Sequence, residues 1–240
     1  MPLLAGLALA RPASARTTDE GYPCASLDTP RPTRVLLIGD SNFFGWLGSR
    51  VVLGLEARGY QVFLRAKPAS GLACPEFFDW FREAKRVIDD THPDVVVAMI
   101  GANDVQRITW PRLKRRIRFK DLEGWRVAYE ARVRAFMQLL AADGREVFYL
   151  SPTNRGWDLA RNAVERVRQV QSRVSADLPR VHWVDMFPLS SDKNGDWLHF
   201  GVDDLGKRIS YRMADRIHLT KWGGDLVGAR LLRLLADHGV

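Results

Sequence analysis

The chain has 240 residues, a length that suits one sizeable α/β domain and is short for two. Hydrophobic residues make up 46% and charged residues 27% of the sequence, a composition that excludes global disorder. The net charge of +8 favours anionic partners, among them nucleic acid, anionic lipid and acidic polysaccharide, without choosing among these classes.

The N-terminal part of the chain lacks the periodicity of the rest. An apolar run at residues 3–10 precedes Ala13-Ser14-Ala15, and small residues in that place are typical of a signal-peptidase site. We therefore expect residues 1–15 to be a signal peptide and the protein to be exported, to the periplasm or the outside of the cell. Without that signal the protein would be cytoplasmic. Residues 16–33 are rich in Pro, Thr, Asp and Arg and predict an irregular arm.

Two cysteines, Cys24 and Cys74, are present. In an exported chain they can form a disulfide that fixes the arm beside the segment that carries Gly71. The alternative, a pair of separate thiols, is equally compatible with the sequence. Neither the number nor the spacing of the cysteines suits a zinc site, and no metal is expected.

Short apolar runs alternate with helical patterns through residues 34–240, which we predict to be one domain. The runs that predict buried strands are residues 35–38, 61–64, 95–100, 146–150 and 181–184. The patterns that predict helices are residues 45–58, 75–90, 123–142, a segment from the fourth strand to residue 177, and 220–237. Residues 186–219 read as irregular. The alternation predicts an α/β fold, a three-layer α/β/α sandwich around a five-stranded parallel sheet. No segment in this domain is apolar for long enough to cross a membrane.

Two polar motifs directly follow predicted strands, where the ligand crevice of a parallel sheet lies. Gly39-Asp40-Ser41 follows the first strand, and a serine there can act as a nucleophile if a base takes its proton. Gly101-Ala102-Asn103-Asp104 follows the third strand and offers the Asn103 amide to an oxyanion. Taken alone, Gly39-Asp40-Ser41 is more often a turn that caps a helix, and Gly101-Ala102-Asn103-Asp104 is as often an Asx-type turn.

Two further motifs complete a catalytic set. In Asp215-Arg216-Ile217-His218, a carboxylate three residues before an imidazole can orient it as a base for Ser41. In Ser70-Gly71-Leu72, the glycine lets its N–H approach a bound group closely. Taken singly, a surface histidine and a loop glycine are the commoner explanations.

Together these motifs resemble those of the SGNH (GDSL-type) hydrolases, which are named for a Ser, a Gly, an Asn and a His. Here the four would be Ser41, Gly71, Asn103 and His218. The resemblance implies a flavodoxin-like fold, a triad of Ser41, His218 and Asp215, and no cofactor. It also implies an oxyanion hole formed by the N–H groups of Ser41 and Gly71 with the Asn103 side chain. Asp40, Gly101 and Asp104 would support these groups.

Residues 70–80 and 212–220 resemble an envelope-associated bacterial branch of that superfamily with uncharacterised substrates. Arg216 departs from this branch, which usually has glycine at that position. Asn42 stands where a leucine or isoleucine is more usual. The resemblance implies a serine esterase for O-acyl esters, O-acetyl esters among them, on a small molecule, carbohydrate or lipid. The alternatives are an O-acyltransferase acting on envelope polysaccharide and a non-catalytic carbohydrate-binding protein. The sequence leaves the oligomeric state open.

A basic and aromatic insert follows Asn103-Asp104. It spans residues 107–120 and has seven basic residues, with Trp110 and Phe119 between them. Arg107 and Trp110 are candidates for binding an acidic or sugar-bearing substrate. The alternative, which the composition favours slightly, is a solvated basic face with Trp110 packed on the core. No nucleic-acid-binding motif accompanies the insert, and nucleic acid is not expected as a partner.

Overall fold

The computed structural model describes residues 31–110, 113–156 and 158–240, without the side chains of residues 158–161. Residues 32–240 form one compact unit. The predicted signal peptide, most of the predicted arm and Cys24 lie outside the described residues. Their assignments therefore stay predictions.

The elements of the described residues are as follows. The strands are β1 (Arg34–Gly39), β2 (Gln61–Ala66), β3 (Val95–Met99), β4 (Ile108–Trp110), β5 (Arg115–Ile117), β6 (Glu146–Leu150), β7 (Val181–Val184), β8 (Phe200–Val202) and β9 (Arg208–Ser210). The helices are α1 (Ser41–Phe44), α2 (Trp46–Glu56), α3 (Trp80–Thr91), α4 (Leu122–Ala141), α5 (Asp158–Ser175), α6 (Met186–Leu189) and α7 (Lys221–Asp237). None of the described helices has both the length and the apolar character that crossing a membrane requires.

Five parallel strands form the main sheet in the order β2-β1-β3-β6-β7. The chain runs outward from β1 to β2 and then returns to the other side of β1 with β3. The strand order therefore reverses at β1 and β3, and a crevice opens beyond the carboxyl ends of these strands. The predicted five-stranded parallel sheet is confirmed, and Ser41, Gly71 and Asn103 all follow its first three strands.

Alternate side chains of β1 enter two separate cores, because successive residues of a strand point to opposite faces of the sheet. Leu36 and Ile38 are buried with side chains of α3, α4 and α5. Val35 and Leu37 are buried with side chains of α2 and α7. The sheet is thus covered by helices on both faces, which is the three-layer sandwich expected from the alternation of strands and helices.

Several elements differ from the sequence prediction. The helix expected at residues 75–90 begins at Trp80, because the Asp79 carboxylate accepts hydrogen bonds from the N–H groups of Phe81 and Arg82 and caps it there. The helix expected at 45–58 is preceded by the short helix α1, from which Gly45 separates it. Within the expected irregular region 186–219 lie α6 and the hairpin β8–β9, and within the basic insert lies the hairpin β4–β5. These strands are three residues long, too short for a period-two pattern to stand out.

We expect the leucines at two paired positions of the sheet to contribute very differently to stability. Leu37 of β1 is fully buried, whereas its partner on the edge strand β2, Leu64, is 42% exposed. Leu37→Ala should lower the free energy of unfolding in urea by about 3 kcal/mol, because it leaves a cavity in the core. The control Leu64→Ala should cost less than about 1 kcal/mol. Equal losses would contradict the assignment of β1 as the buried centre of the fold.

Candidate active site

Ser41, His218 and Asp215 lie in hydrogen-bonding contact at the carboxyl end of the sheet. The Ser41 Oγ atom is 2.7 Å from Nε2 of His218, although 177 residues separate them in the chain. Nδ1 of the same ring is 2.6 Å from Oδ2 of Asp215. One ring nitrogen therefore faces a hydroxyl and the other a carboxylate, the arrangement by which a base takes a proton from serine.

The loop from Asp215 to His218 is held by its own backbone. Oδ1 of Asp215 accepts hydrogen bonds from the N–H groups of Ile217 and His218, at 2.9 and 3.0 Å. The second oxygen, Oδ2, is thereby left to face the imidazole. Burial alone would raise the pKa of Asp215, but the hydrogen bonds from the His218 ring and from these two N–H groups outweigh it and lower the pKa below its ordinary value. The carboxylate is thus kept ionised beside the ring.

Arg216 adopts a left-handed backbone conformation, with φ of +61°. Glycine enters this region at little cost, whereas a residue with a Cβ atom is strained there. Arg216, which stands where the branch usually has glycine, therefore lies at a position where the chain turns between Asp215 and His218. The contacts of both triad residues are nevertheless formed.

Two buried arginines bond the backbone of the loops around the site, and their roles were not predicted from the sequence. The guanidinium of Arg212 donates to the carbonyl oxygens of Ile217 and Asn154. That of Arg155 donates to the carbonyl of Ala102 at 3.1 Å. Burial, with the nearby charge of Arg155, lowers the pKa of Arg212 to about 10. Arg155 lies just beyond the carboxyl end of β6, so the rule that placed Ser41 and Asn103 in the crevice also applies to it.

The two loops that carry Gly71 and Asn103 are joined to each other. Nδ2 of Asn103 donates to the carbonyl oxygen of Ser70 at 2.8 Å, which leaves the second N–H of the amide for a ligand. A Cβ atom on Gly71 would lie 2.2 Å from Oδ1 of Asp104, so a side chain at this position requires Asp104 to move. Gly101 turns the chain after β3 with φ of +145°, a conformation that glycine readily adopts.

Asp104 organises the loop around Gly71. Its Oδ1 atom accepts from the N–H of Ala73 at 2.7 Å, and its Oδ2 atom accepts from the hydroxyl of Tyr129, also at 2.7 Å. Burial raises the pKa of Asp104, and the hydrogen bonds from Ala73 and Tyr129 oppose that effect. These contacts join Asp104 to the backbone after Gly71 and to α4, and its supporting role at the site stays a prediction.

Asp40 is also fully buried, directly before Ser41. Its Oδ1 atom accepts from the backbone N–H of Asn42 at 2.9 Å and from the Asn42 side chain at 2.8 Å. Burial raises the pKa of Asp40, and these hydrogen bonds act in the opposite direction. Asn42, a departure from the usual apolar residue, therefore contributes a hydrogen bond to the turn that presents Ser41.

In the basic insert, the ring of Trp110 lies close to two guanidinium groups. The Cζ atoms of Arg132 and Arg115 are 4.7 and 5.2 Å from the centre of its ring. The ring packs partly on the core, and it also lines a cavity of about 630 Å³ with Glu76 and Asp79. Arg107 is exposed, and its charge is among the influences that lower the pKa of Glu76. Binding of substrate by Trp110 or Arg107 stays a prediction.

Cys74 is partly buried, and burial together with the nearby Glu76 raises the pKa of its thiol. Its pairing with Cys24 stays a prediction, because Cys24 lies outside the described residues. In the part of the chain that the structure describes, no group of three or more His, Cys, Asp or Glu residues is arranged to hold a metal ion.

The family model DUF459, described as a protein of unknown function, matches residues 34–234. The search of curated proteins gave no match to the sequence. Solved structures with a similar fold include a GDSL-like lipase from Bacteroides thetaiotaomicron, which is 15% identical with a TM-score of 0.55. The match covers 86% of this chain and 89% of the lipase.

Two other solved structures give a similar result. A catalytic mutant of Axe2, an acetylxylan esterase from Geobacillus stearothermophilus, is 19% identical over 84% of this chain and 93% of its own, with a TM-score of 0.57. LAE5, an α/β hydrolase enzyme from the metagenome of Lake Arreo in Spain, is 15% identical over 84% of this chain and 94% of its own, with a TM-score of 0.58. At such low identities the likeness establishes the fold, and it confirms the predicted three-layer α/β/α sandwich.

Because Tyr129 donates a hydrogen bond to Asp104, loss of its hydroxyl should lower the stability of the protein more than the same loss at a second buried tyrosine. Tyr129→Phe should lower the free energy of unfolding by about 2 kcal/mol, because it removes a donor from a buried carboxylate. In the matched control Tyr149→Phe, the lost hydrogen bond is a longer one, 3.3 Å to the carbonyl of Ile100, and the cost should be about 1 kcal/mol or less. Urea unfolding of both variants measures the difference, and a reversed order would contradict the described network.

The strain at Arg216 predicts a stabilising substitution. Arg216→Gly should raise the free energy of unfolding by about 0.5 kcal/mol, because relief of the left-handed strain exceeds the entropy that glycine adds to the unfolded chain. Arg216→Ala is the control, since it removes the same side chain and keeps the Cβ atom. Thermal or urea unfolding that ranks the alanine variant equal to or above the glycine variant would disprove this explanation.

Proposed function

The chain belongs to the DUF459 family, and from the contact of Ser41 with His218 and Asp215 we propose that it is a serine esterase that hydrolyses O-acyl esters. The single observation that carries this proposal is the continuous series of hydrogen bonds from hydroxyl to imidazole to carboxylate, at 2.7 and 2.6 Å. A surface histidine or a capping serine requires no such arrangement. The named lipase and esterase that share the fold are consistent with the proposal.

In the proposed reaction, Ser41 Oγ attacks the carbonyl carbon of the ester, and its proton passes to Nε2 of His218. Asp215 orients the ring and stabilises the imidazolium that forms. The negative charge on the carbonyl oxygen is held by the N–H groups of Ser41 and Gly71 and by the Asn103 amide. When the C–O bond to the alcohol breaks, His218 returns the proton to the leaving oxygen. Water then attacks the acyl-serine by the same route, releases the acid and restores the hydroxyl.

The natural ester is proposed to belong to an envelope or extracellular carbohydrate or lipid. This proposal follows from the resemblance to the envelope-associated branch and from the signal expected at residues 1–15. Transfer of the acyl group to a sugar hydroxyl instead of water would use the same acyl-serine. Product analysis with and without sugar acceptors separates hydrolysis from transfer.

We expect Ser41→Ala to keep the fold and to lose at least a thousandfold in the rate of ester hydrolysis, together with labelling by a fluorophosphonate probe. Ser49→Ala, on the exposed face of α2, is the matched control and should be labelled like the original protein. An active Ser41→Ala protein would refute the nucleophile. Absence of both labelling and hydrolysis in the folded original protein would favour the non-catalytic carbohydrate-binding alternative.

A second pair of variants tests the base. His218→Ala should abolish hydrolysis, whereas His199→Ala should not, although Asp196 and His199 repeat the Asp-x-x-His spacing. The ring of His199 stacks on that of Trp197, with 4.4 Å between their centres. Loss of activity in His199→Ala with retention in His218→Ala would reverse the assignment.

A further inference from the structure

A groove of about 310 Å³ opens directly beside the triad. Ser41 and His218 form part of its lining, and its walls are the apolar side chains of Phe44, Trp46, Pro68 and Met213. Phe44 and Trp46 are 66% and 47% exposed, and Met213 is 43% exposed. Large apolar side chains that cluster at a catalytic serine and face water mark a binding surface more often than isolated exposed residues do.

The groove offers few groups that could bind a polar ligand. The side-chain amide of Asn42, which also lines it, donates to the buried Asp40. Apart from Ser41 and His218, the polar group that the named walls carry is the indole N–H of Trp46. Hydroxyl groups of a sugar that lay against these walls would exchange water for few hydrogen-bonding partners, which is unfavourable. An alkyl chain would instead gain by leaving water.

The cavities after Gly71 offer a more polar place for the alcohol portion of the same ester. The loop from Pro68 to Asp79 lines three cavities in succession. Pro68 borders the apolar groove, Gly71 and Cys74 border a cavity of about 280 Å³ that Gln106 also lines, and Glu76 and Asp79 border the large cavity at Trp110. Along this loop, Pro68 precedes Gly71 and borders the apolar groove. The residues after Gly71 border cavities that carboxylate and amide side chains line.

On this basis we propose that the groove binds the acyl chain of the substrate, and that this chain is a medium-length alkyl chain rather than an acetyl group. The inference rests on the proposed function, since Ser41 in the lining places the groove beside the carbonyl carbon under attack. The alcohol portion, which is the polar part of an ester of a carbohydrate or glycerol, lies toward the cavities beyond Gly71. An acetyl group would leave the walls formed by Phe44, Trp46 and Met213 in contact with water.

Isomeric esters test the proposal, because they have the same atoms and place the alkyl chain on opposite sides of the carbonyl. Methyl hexanoate and pentyl acetate are one such pair, and methyl butyrate and propyl acetate are another, with methyl acetate as the reference. Hydrolysis by the full chain is followed in a pH-stat. The enzymatic rate for each ester is divided by the rate of its hydrolysis by hydroxide, which corrects for the intrinsic reactivity of the ester. Each methylene that is buried should raise kcat/KM by about fourfold, the factor that corresponds to about 0.8 kcal/mol.

Because the groove is open on one side, we expect methyl hexanoate to exceed both methyl acetate and pentyl acetate by at least tenfold in kcat/KM. Phe44→Ser should lower the ratio of the hexanoate rate to the acetate rate at least threefold. Leu53→Ser, which removes a similarly exposed apolar side chain from α2 away from the groove, is the matched control and should leave that ratio unchanged. Fluorophosphonate labelling counts the active molecules of each variant, so that misfolded protein does not enter the ratio.

A faster rate for pentyl acetate than for methyl hexanoate would overturn the proposal, because the groove would then hold the alcohol. A preference for methyl acetate over every longer acyl chain, or equal ratios in Phe44→Ser and Leu53→Ser, would overturn it as well. These outcomes differ from failure of the proposed function, in which no ester is hydrolysed and Ser41 is not labelled.

Discussion

The hydrogen bond between Ser41 and His218 depends on the packing of two helices. Ser41 lies at the start of α1, just before α2, and His218 lies three residues before α7. The two long helices pack against each other on one face of the sheet, where Gly224 of α7 lies so close to Trp46 that a Cβ atom would be 2.6 Å from the Cβ atom of Trp46. Their N-terminal ends, and with them the hydroxyl and the imidazole, are brought together by this contact. The position of the His218 ring is therefore set by the apolar core between α2, α7 and β1.

Beneath the triad, the loops are held by buried polar groups. Asp40, Asp104, Arg155 and Arg212 are each less than 10% exposed, and burying charged groups is costly unless hydrogen bonds compensate. Most of their contacts are to backbone groups of loops rather than to each other, such as Ala73 for Asp104. Residues used in this way fix the conformation of loops that have few apolar contacts of their own. The geometry of the candidate site thus rests on a polar framework between two apolar cores.

Much of the fold and the candidate site could be predicted because both depend on local patterns. Runs such as Val95–Met99 are buried on both sides and therefore apolar throughout, and polar motifs directly follow the first and third strands. The hairpin β4–β5 could not be predicted, since its pairing of Thr109 with Arg116 leaves no period in so short a segment. Arg155 and Arg212 were missed for a different reason. Arginine usually lies on the surface, and nothing in its immediate neighbours shows that it is buried. The roles given to the site residues stay predictions until they are measured.

The apolar groove beside Ser41 also affects the association of molecules of this protein in solution. The groove exposes the apolar side chains of Phe44, Trp46 and Met213 to water, and burial of apolar surface drives association between molecules. The net charge of +8 gives every copy the same sign, so long-range repulsion opposes close approach at low ionic strength. Added salt shortens the range of that repulsion to about 8 Å at 0.15 M and leaves the apolar attraction intact. We therefore expect the colloidal stability of the protein to decrease as salt is added, unless an acyl chain already covers the groove.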